Sequence, residues 1–145
     1  MRGRALRLLA RREHSRSELA RKLGEEDADP GELAALLDDL ECRGWLSEQR
    51  LAEQHLARAK GRYGARRVLN DLRGKGVAGE VLERAAAQLK TSELEDARAV
   101  WRKRFGRAPA DPKERARQFR FLQGRGFSAE VIRQVVGSDW DDEQG

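Results

Sequence analysis

The sequence predicts an all-α protein: an elongated array of three tandem three-helix repeats with nine helices in total. Two observations support this class. Apolar residues recur at helical spacing, and no segment alternates with the period of two that a strand requires. A turn pattern of Leu, two variable residues, a cation, Gly and an apolar residue occurs at 40–45, 72–77 and 122–127. Because Gly after a helix tolerates the left-handed conformation, this recurrence indicates one helical unit used in series.

The first predicted unit covers residues 4–44. Its first helix carries Leu6 and Leu9 on one face. Ser15-Arg16-Ser17-Glu18 is a capping box that begins the second helix, and Asp29 followed by Pro30 begins the third. The third helix ends at the first copy of the turn.

The second predicted unit covers residues 47–90. Ser47 is the predicted cap of the fourth helix, the fifth runs from Gly64 to Gly74, and the sixth runs from Gly79 to Leu89. The second copy of the turn joins the fifth and sixth helices, so these helices are expected to be close neighbours.

The third predicted unit covers residues 91–137. Ser92 is the predicted cap of a seventh helix, Asp111 and Pro112 begin an eighth, and Ser128 caps a ninth. The remaining residues, 138–145, carry four acids, and we predict a disordered acidic tail there.

Composition excludes several classes of protein. Charged residues make up 38% of the chain and apolar residues 39%, and no stretch approaches the ~18 apolar residues of a membrane span. The N-terminal residues lack a signal-peptide apolar block. The single cysteine, Cys42, cannot form an internal disulfide, so we expect a cytoplasmic protein.

Charge is distributed in blocks along the chain. Residues 13–57 carry five cations and twelve acids, residues 58–75 seven cations and one acid, and residues 98–125 ten cations and two acids. Such blocks suggest a polarised molecule with faces for nucleic acid or for an acidic protein groove. A solvated helix face is the plainer alternative.

Basic residues in these blocks recur at helical spacing, away from the apolar faces. Arginine guanidinium groups bind phosphate oxygens in pairs, so such lines suit a polyanion. The turn cations Arg43, Lys75 and Arg125 are ambiguous between capping a helix and contacting a ligand, with capping slightly favoured. The predicted binding residues are Arg66, Arg67, Arg73, Lys75, Arg98, Arg102, Lys103, Lys113, Arg117, Arg120 and Arg125.

Other chemistries have little support in the sequence. His14 and His55 have no metal-ligand spacing, and no cluster of His, Cys or acids indicates an enzyme or a metal site. Residues 17–24 resemble the first helix of a helix-turn-helix reader, but the recognition helix, at 29–44, would be acidic and repelled by phosphate. Tyr63, at the head of the most basic helix, could stack on a base or dock on a partner.

Several stretches carry a family resemblance. Trp45 to Ala52, Gly61 to Val68 and Leu72 to Val77, together with an opening at 5–23 and Phe121 to Ser128, resemble the RecX family of bacterial recombination regulators. The resemblance covers about residues 4–137. The family more often has Asp-Glu-Arg-Phe where this chain has Glu-Gln-Arg-Leu at 48–51.

The resemblance implies three tandem three-helix units and no cofactor or catalytic residue. It implies binding to the RecA recombinase, to its nucleoprotein filament and to single- and double-stranded DNA. The consequence would be inhibition of ATPase, strand exchange and co-protease activity in DNA repair and the SOS response. We expect a monomer. A non-specific DNA- or RNA-binding module without recombinase specificity remains the alternative.

Overall fold

The computed structural model describes residues 1–25 and 29–137, and these residues form eight α-helices and no strand. The all-α prediction is confirmed, whereas the predicted acidic tail lies outside the described residues. The helices are α1 (Arg2–Arg11), α2 (Arg16–Gly24), α3 (Pro30–Cys42), α4 (Glu48–Ala59), α5 (Ala65–Gly74), α6 (Gly79–Arg104), α7 (Pro112–Gly124) and α8 (Ala129–Val136).

The predicted count of nine helices is wrong for the described residues. The predicted sixth and seventh helices are one continuous helix, α6, of 26 residues. Ser92 does not cap a new helix there; its hydroxyl donates back to the Leu89 carbonyl, and the Thr91 hydroxyl donates to Gln88 at 2.7 Å. Because these hydroxyls bond to the preceding turn and no Gly or Pro intervenes, the helix is not interrupted.

The other predicted cap residues are confirmed by their hydrogen bonds. Ser15 accepts from the Glu18 N–H while Glu18 accepts from the Ser15 N–H, which completes the capping box. The remaining caps each accept one N–H from the first turn, which satisfies a donor that the helix itself cannot. They are Asp29, Ser47, Asp111 and Ser128.

The repeated turn has the same geometry in all three copies. Each glycine has a positive φ, from 76° at Gly44 to 95° at Gly126. In each copy the N–H after the glycine donates to the motif leucine carbonyl, as Phe127 does to Leu122 at 3.3 Å. This six-to-one hydrogen bond is the Schellman arrangement that ends a helix.

The three turns differ in how their apolar residue packs. The motif leucines are fully buried, and so are Val77 and Phe127 in the second and third copies. From the turn pattern we expect the apolar residue after each glycine to pack back on the preceding helix. This expectation is wrong for Trp45, which is 44% exposed. Leu46 is buried in its place, and the guanidinium of Arg43 lies 5.2 Å from the Trp45 ring centroid.

The described chain divides into two compact units. Unit 1 comprises residues 1–55 and 71–83, and unit 2 comprises residues 56–70 and 84–145. The division into three repeats at 4–44, 47–90 and 91–137 stays a prediction.

Unit 1 contains an apolar core where α2 packs against α1 and α3. The second copy of the turn contacts the start of α2 in this unit. The Ser15 hydroxyl donates to the Lys75 carbonyl, and a Cβ on Gly76 would lie 1.7 Å from the Ser17 hydroxyl. Only glycine fits that approach. The core residues are Ala5, Leu19, Leu23, Leu36, Leu37, Leu40 and Leu46.

Unit 2 has its own core and an equivalent turn contact. The third copy of the turn lies against the start of α5, where the Gly64 N–H donates to the Arg125 carbonyl at 2.8 Å. A Cβ on Gly64 would lie 2.4 Å from the Gly126 backbone, so the two segments are in direct contact. The core residues are Ala97, Val100, Leu122, Phe127, Ile132 and Val136.

Candidate anion-binding surface

The two units carry net charges of opposite sign. Residues 1–55 and 71–83 contain 12 Arg and Lys against 15 Asp and Glu, a net charge of −3. Residues 56–70 and 84–145 contain 18 against 10, a net charge of +8. The excess of positive charge that a polyanion would recognise therefore belongs to unit 2.

The structure places nine of the eleven predicted binding residues in unit 2; the other two, Arg73 and Lys75, belong to unit 1. All are exposed except Lys75 and Arg125, which are half-buried. The prediction that these side chains face away from the cores is therefore correct for nine of them.

Five of the predicted cations have no hydrogen-bond or ion-pair partner among the described residues. They lie on α6 and α7, where acids are scarce: only Asp111 and Glu114 occur between residues 98 and 125. Unpaired arginines and lysines keep their N–H groups available to an incoming anion. The five are Arg98, Arg102, Lys103, Lys113 and Arg120.

Other predicted cations already have structural contacts. Arg66 donates to the Gln123 carbonyl at 3.1 Å and so holds the turn against α5. Arg117 forms an ion pair with Glu114 at 3.2 Å. Part of the capacity of these side chains to bind an anion is therefore used within the protein.

Tyr63 lies at the centre of a cluster of arginines and aromatic rings. The guanidinium carbon of Arg67 lies 4.0 Å from the Tyr63 ring centroid, and that of Arg125 lies 5.3 Å from it. Arg125 also lies 5.1 Å from the Phe121 centroid, and Arg104 lies 5.3 Å from the same ring. The sequence analysis did not assign Arg104 or Phe121 to the binding surface. Arg104 does not follow the helical spacing of Arg98 and Arg102, and Phe121 is not basic.

Unit 1, in contrast, pairs many of its acids internally. The guanidinium of Arg16 contacts Asp38 at 2.7 Å and Glu41 at 3.1 Å, and these hydrogen bonds raise the pKa of Arg16. Arg50 pairs with Glu13 at 2.8 Å. The acidic block at 13–57 is thus partly neutralised by its own arginines.

His14, which lacks metal-ligand spacing in the sequence, is a buried polar residue in the structure. Its Nδ1 lies 3.0 Å from the Arg12 carbonyl, and its Nε2 lies 3.0 Å from Lys22 Nζ. Lys22 can only donate, so Nε2 is the acceptor and the ring is neutral. Burial, together with the charges of Arg12 and Lys22, lowers the pKa of His14.

Glu18 accompanies His14 in the same hydrogen-bond network. Burial would raise the pKa of its carboxyl, but hydrogen bonds from Arg12 at 2.9 Å and from the Ser15 N–H outweigh burial and lower it. The carboxylate is therefore the stable form in the folded protein.

The described residues hold no group of three His, Cys, Asp or Glu side chains that could bind a metal ion. Among the same residues, no helix is long and apolar enough to cross a membrane. Cys42 is exposed, and His55 lies 3.5 Å from the Asp71 carboxylate in unit 1.

Comparison with known proteins identifies the family. The model of the first three-helix domain of RecX matches residues 2–40, and that of the third three-helix domain matches residues 91–136. The chain belongs to the RecX family. It is 51% identical to the regulatory protein RecX of Leptothrix cholodnii over 94% of this chain and 87% of that protein. It is 46% identical to that of Ralstonia nicotianae over 96% and 88%.

Solved RecX structures share the fold. The crystal structure of RecX from Lactobacillus salivarius matches with a TM-score of 0.80 at 19% identity, covering 93% of this chain and 91% of that one. A second crystal structure of a regulatory protein RecX matches with a TM-score of 0.76 at 21% identity, covering 92% and 70%. The RecX fold is thus retained at low sequence identity.

Proposed function

We propose that this protein binds the RecA recombinase and its DNA filament and mostly inhibits it, lowering ATPase, strand exchange and co-protease activity in DNA repair and the SOS response. In this proposal the chain acts as a monomer through three tandem three-helix units. The observation that carries the proposal is membership of the RecX family, whose curated members are named regulatory proteins.

The charge distribution supports a polyanionic partner. Unit 2 combines a net charge of +8 with five cations that have no partner among the described residues. Cations of this kind would contact DNA phosphates or an acidic surface of the recombinase. Unit 1 would meet a basic part of the recombinase or keep that end of the protein away from DNA.

The proposal is tested by the ATPase activity of RecA on single-stranded DNA at moderate salt. The protein is added below the concentration of recombinase and of DNA sites, so that sequestering DNA cannot explain an effect. We expect the ATPase rate to fall. The double variant Lys113→Gln with Arg120→Gln should inhibit less, because it removes two unpaired cations without breaking a described hydrogen bond or ion pair.

The alternative function is a plain nucleic-acid-binding module, and the charge of unit 2 is the observation that favours it. It predicts salt-sensitive binding to bare DNA with no change in RecA ATPase under the same conditions. An unchanged ATPase rate would reject the regulator and leave this module.

A further inference from the structure

A basic cavity in unit 2 is not explained by the fold. Its volume is about 420 Å³, and it lies between the loop before α5, the last turns of α6 and the end of α7. Four cations and two aromatic rings line it, and none of the lining residues is acidic. These six residues are Arg62, Tyr63, Lys103, Arg104, Phe121 and Arg125.

The aromatic rings hold two of the cations in place. The guanidinium of Arg125 lies near both Tyr63 and Phe121, and that of Arg104 lies near Phe121. Arg125 Nη1 also donates to the Arg62 carbonyl at 3.5 Å, and its other N–H groups can still donate to a ligand. The guanidinium groups are therefore positioned before any ligand arrives.

The backbone around the cavity is fixed as well. The Gly61 N–H donates to the buried carboxylate of Asp96 at 3.1 Å, and the Gly64 N–H donates to the Arg125 carbonyl. A Cβ on Gly64 would lie 2.4 Å from the Gly126 backbone, so the two backbones are in close contact there. A preformed site loses little entropy when it binds a ligand.

The other two cations, Arg62 and Lys103, stand at the exposed rim and have no side-chain partner among the described residues. Four positive charges around one cavity, uncompensated by a lining carboxylate, disfavour each other unless an anion enters. The site thus has the electrostatic character of an anion receptor.

We infer that this cavity binds a phosphate group of the DNA backbone. A phosphodiester has two charged oxygens, as a carboxylate has, but a DNA strand carries consecutive phosphates along its backbone. The phosphate in the cavity and its neighbours can therefore engage all four cations at once. The inference rests on the proposed function for the identity of its ligand. It also revises the base-stacking hypothesis for Tyr63, because the guanidinium carbons of Arg67 and Arg125 already lie 4.0 and 5.3 Å from the centroid of that ring.

The test compares two double variants of equal charge change. Arg62→Gln with Lys103→Gln removes both rim cations, and Arg84→Gln with Lys90→Gln removes two exposed cations of unit 2 that do not line the cavity. Binding to a fluorescein-labelled oligo(dT) 20-mer is followed by anisotropy over a range of salt. Far-UV circular dichroism melting checks that both variants fold.

We expect the cavity variant to lose about tenfold or more in affinity, since hydrogen bonds to charged groups are strong. The slope of its log affinity against log salt concentration should become shallower by about 0.7 for each phosphate that the variant no longer neutralises. The control variant should stay within about twofold of the parent. Equal losses of affinity in the two variants would overturn the inference, because the effect would then be one of net charge.

Competitors establish the source of the anion. Oligo(dT) should displace the labelled strand at a much lower charge concentration than ATP, pyrophosphate or poly-glutamate, because only the strand carries consecutive phosphates along a backbone. Cavity-dependent binding of ATP or pyrophosphate with cavity-independent binding of oligo(dT) would indicate a free nucleotide and overturn the DNA assignment. Cavity-dependent displacement by poly-glutamate would indicate an acidic peptide and overturn the phosphate assignment.

The inference and the proposed function can fail separately. If the cavity variant binds DNA like the parent while the parent inhibits RecA ATPase, the cavity assignment is wrong and the regulator stands. If the cavity variant loses DNA binding while the parent leaves the ATPase unchanged, the regulator is wrong and the cavity assignment stands.

Discussion

Among single residues, His14 has a buried environment that changes how the stability of the fold depends on pH. It is 1% exposed and accepts from Lys22, so a second proton would place a buried positive charge 3.0 Å from the Lys22 ammonium. The folded protein keeps the ring neutral, which is why the pKa of His14 is lowered. The hydrogen bond also ties α2 to the chain that follows α1.

We expect the free energy of unfolding to fall as the pH drops below about 6.5, the ordinary histidine pKa. The unfolded chain takes up a proton there, while the folded chain, with its lowered His14 pKa, does not. His14→Gln should flatten this dependence, because an amide can donate to Arg12 and accept from Lys22 without titrating. Urea unfolding at pH 7.5 and pH 5.5 measures the difference.

Two comparisons isolate the effect of His14. Glu18, whose pKa is lowered, contributes stability that is lost only as the pH falls below about 4.3, outside this window. His55→Gln removes the other histidine and should preserve the drop between pH 7.5 and 5.5. If His14→Gln retains the full drop, the buried ring is not its cause.

At the scale of elements, the repeated turn ends a helix in every copy and contacts a second helix in only two of them. The sequence pattern is the same in all three copies and does not show this difference. In every copy the glycine ends a helix through the same Schellman hydrogen bond. In the second and third copies the glycine also lets the turn touch the start of another helix, at Ser17 and Arg67 respectively. The first copy has open space at Gly44.

This difference predicts that replacing the turn glycine with alanine lowers the free energy of unfolding less in the first copy than in the third. Gly44→Ala should lower the free energy of unfolding by roughly 1–2 kcal/mol, the cost of a left-handed residue with a Cβ. Gly126→Ala adds overpacking of roughly 1–3 kcal/mol, because its Cβ would lie 2.6 Å from the Cβ of Arg67. Denaturant unfolding of the two variants measures the gap.

Gly44→Ala is the matched control because its φ of 76° imposes similar backbone strain without the close approach to another helix. Equal losses of stability in the two variants would mean that a Cβ on Gly126 does not overpack against α5.

Because Gly126 adjoins Arg125, its alanine variant should also weaken DNA binding, whereas Gly44→Ala should leave DNA binding intact.

At the scale of the whole molecule, the charge difference between the units predicts where DNA binds. Arg98→Gln, Arg102→Gln and Arg120→Gln together remove three cations of unit 2, and none has a partner among the described residues. For each phosphate that is no longer neutralised, the slope of log affinity against log salt should become shallower by about 0.9 on duplex DNA. Anisotropy titrations between roughly 50 and 200 mM salt measure the slope.

A triple variant of unit 1 provides the comparison at equal net charge. Arg7→Gln, Arg11→Gln and Arg21→Gln remove three exposed cations, and we expect the salt slope to change little. A slope that falls as much in this variant would show that binding follows total charge and not the surface of unit 2.

Local signals in the sequence were reliable where one residue type is enough to end or begin a helix. Ser15, Asp29, Ser47, Asp111 and Ser128 all act as the caps that their positions predict. Ser92 did not, because a hydroxyl can bond equally well to the preceding turn when the chain on both sides favours helix. The distinction depends on neighbouring contacts and not on the residue itself.

The sequence by itself determined the all-α class, most helix boundaries, the three Schellman turns and the exposure of nine predicted cations. These features follow from spacing and backbone conformation, which act over a few residues. Only the tertiary structure decided that Arg62, Tyr63, Lys103, Arg104, Phe121 and Arg125 share one cavity. Residues far apart in the chain meet there because Gly64 and Gly126 allow two backbones to touch, and no local pattern contains that approach.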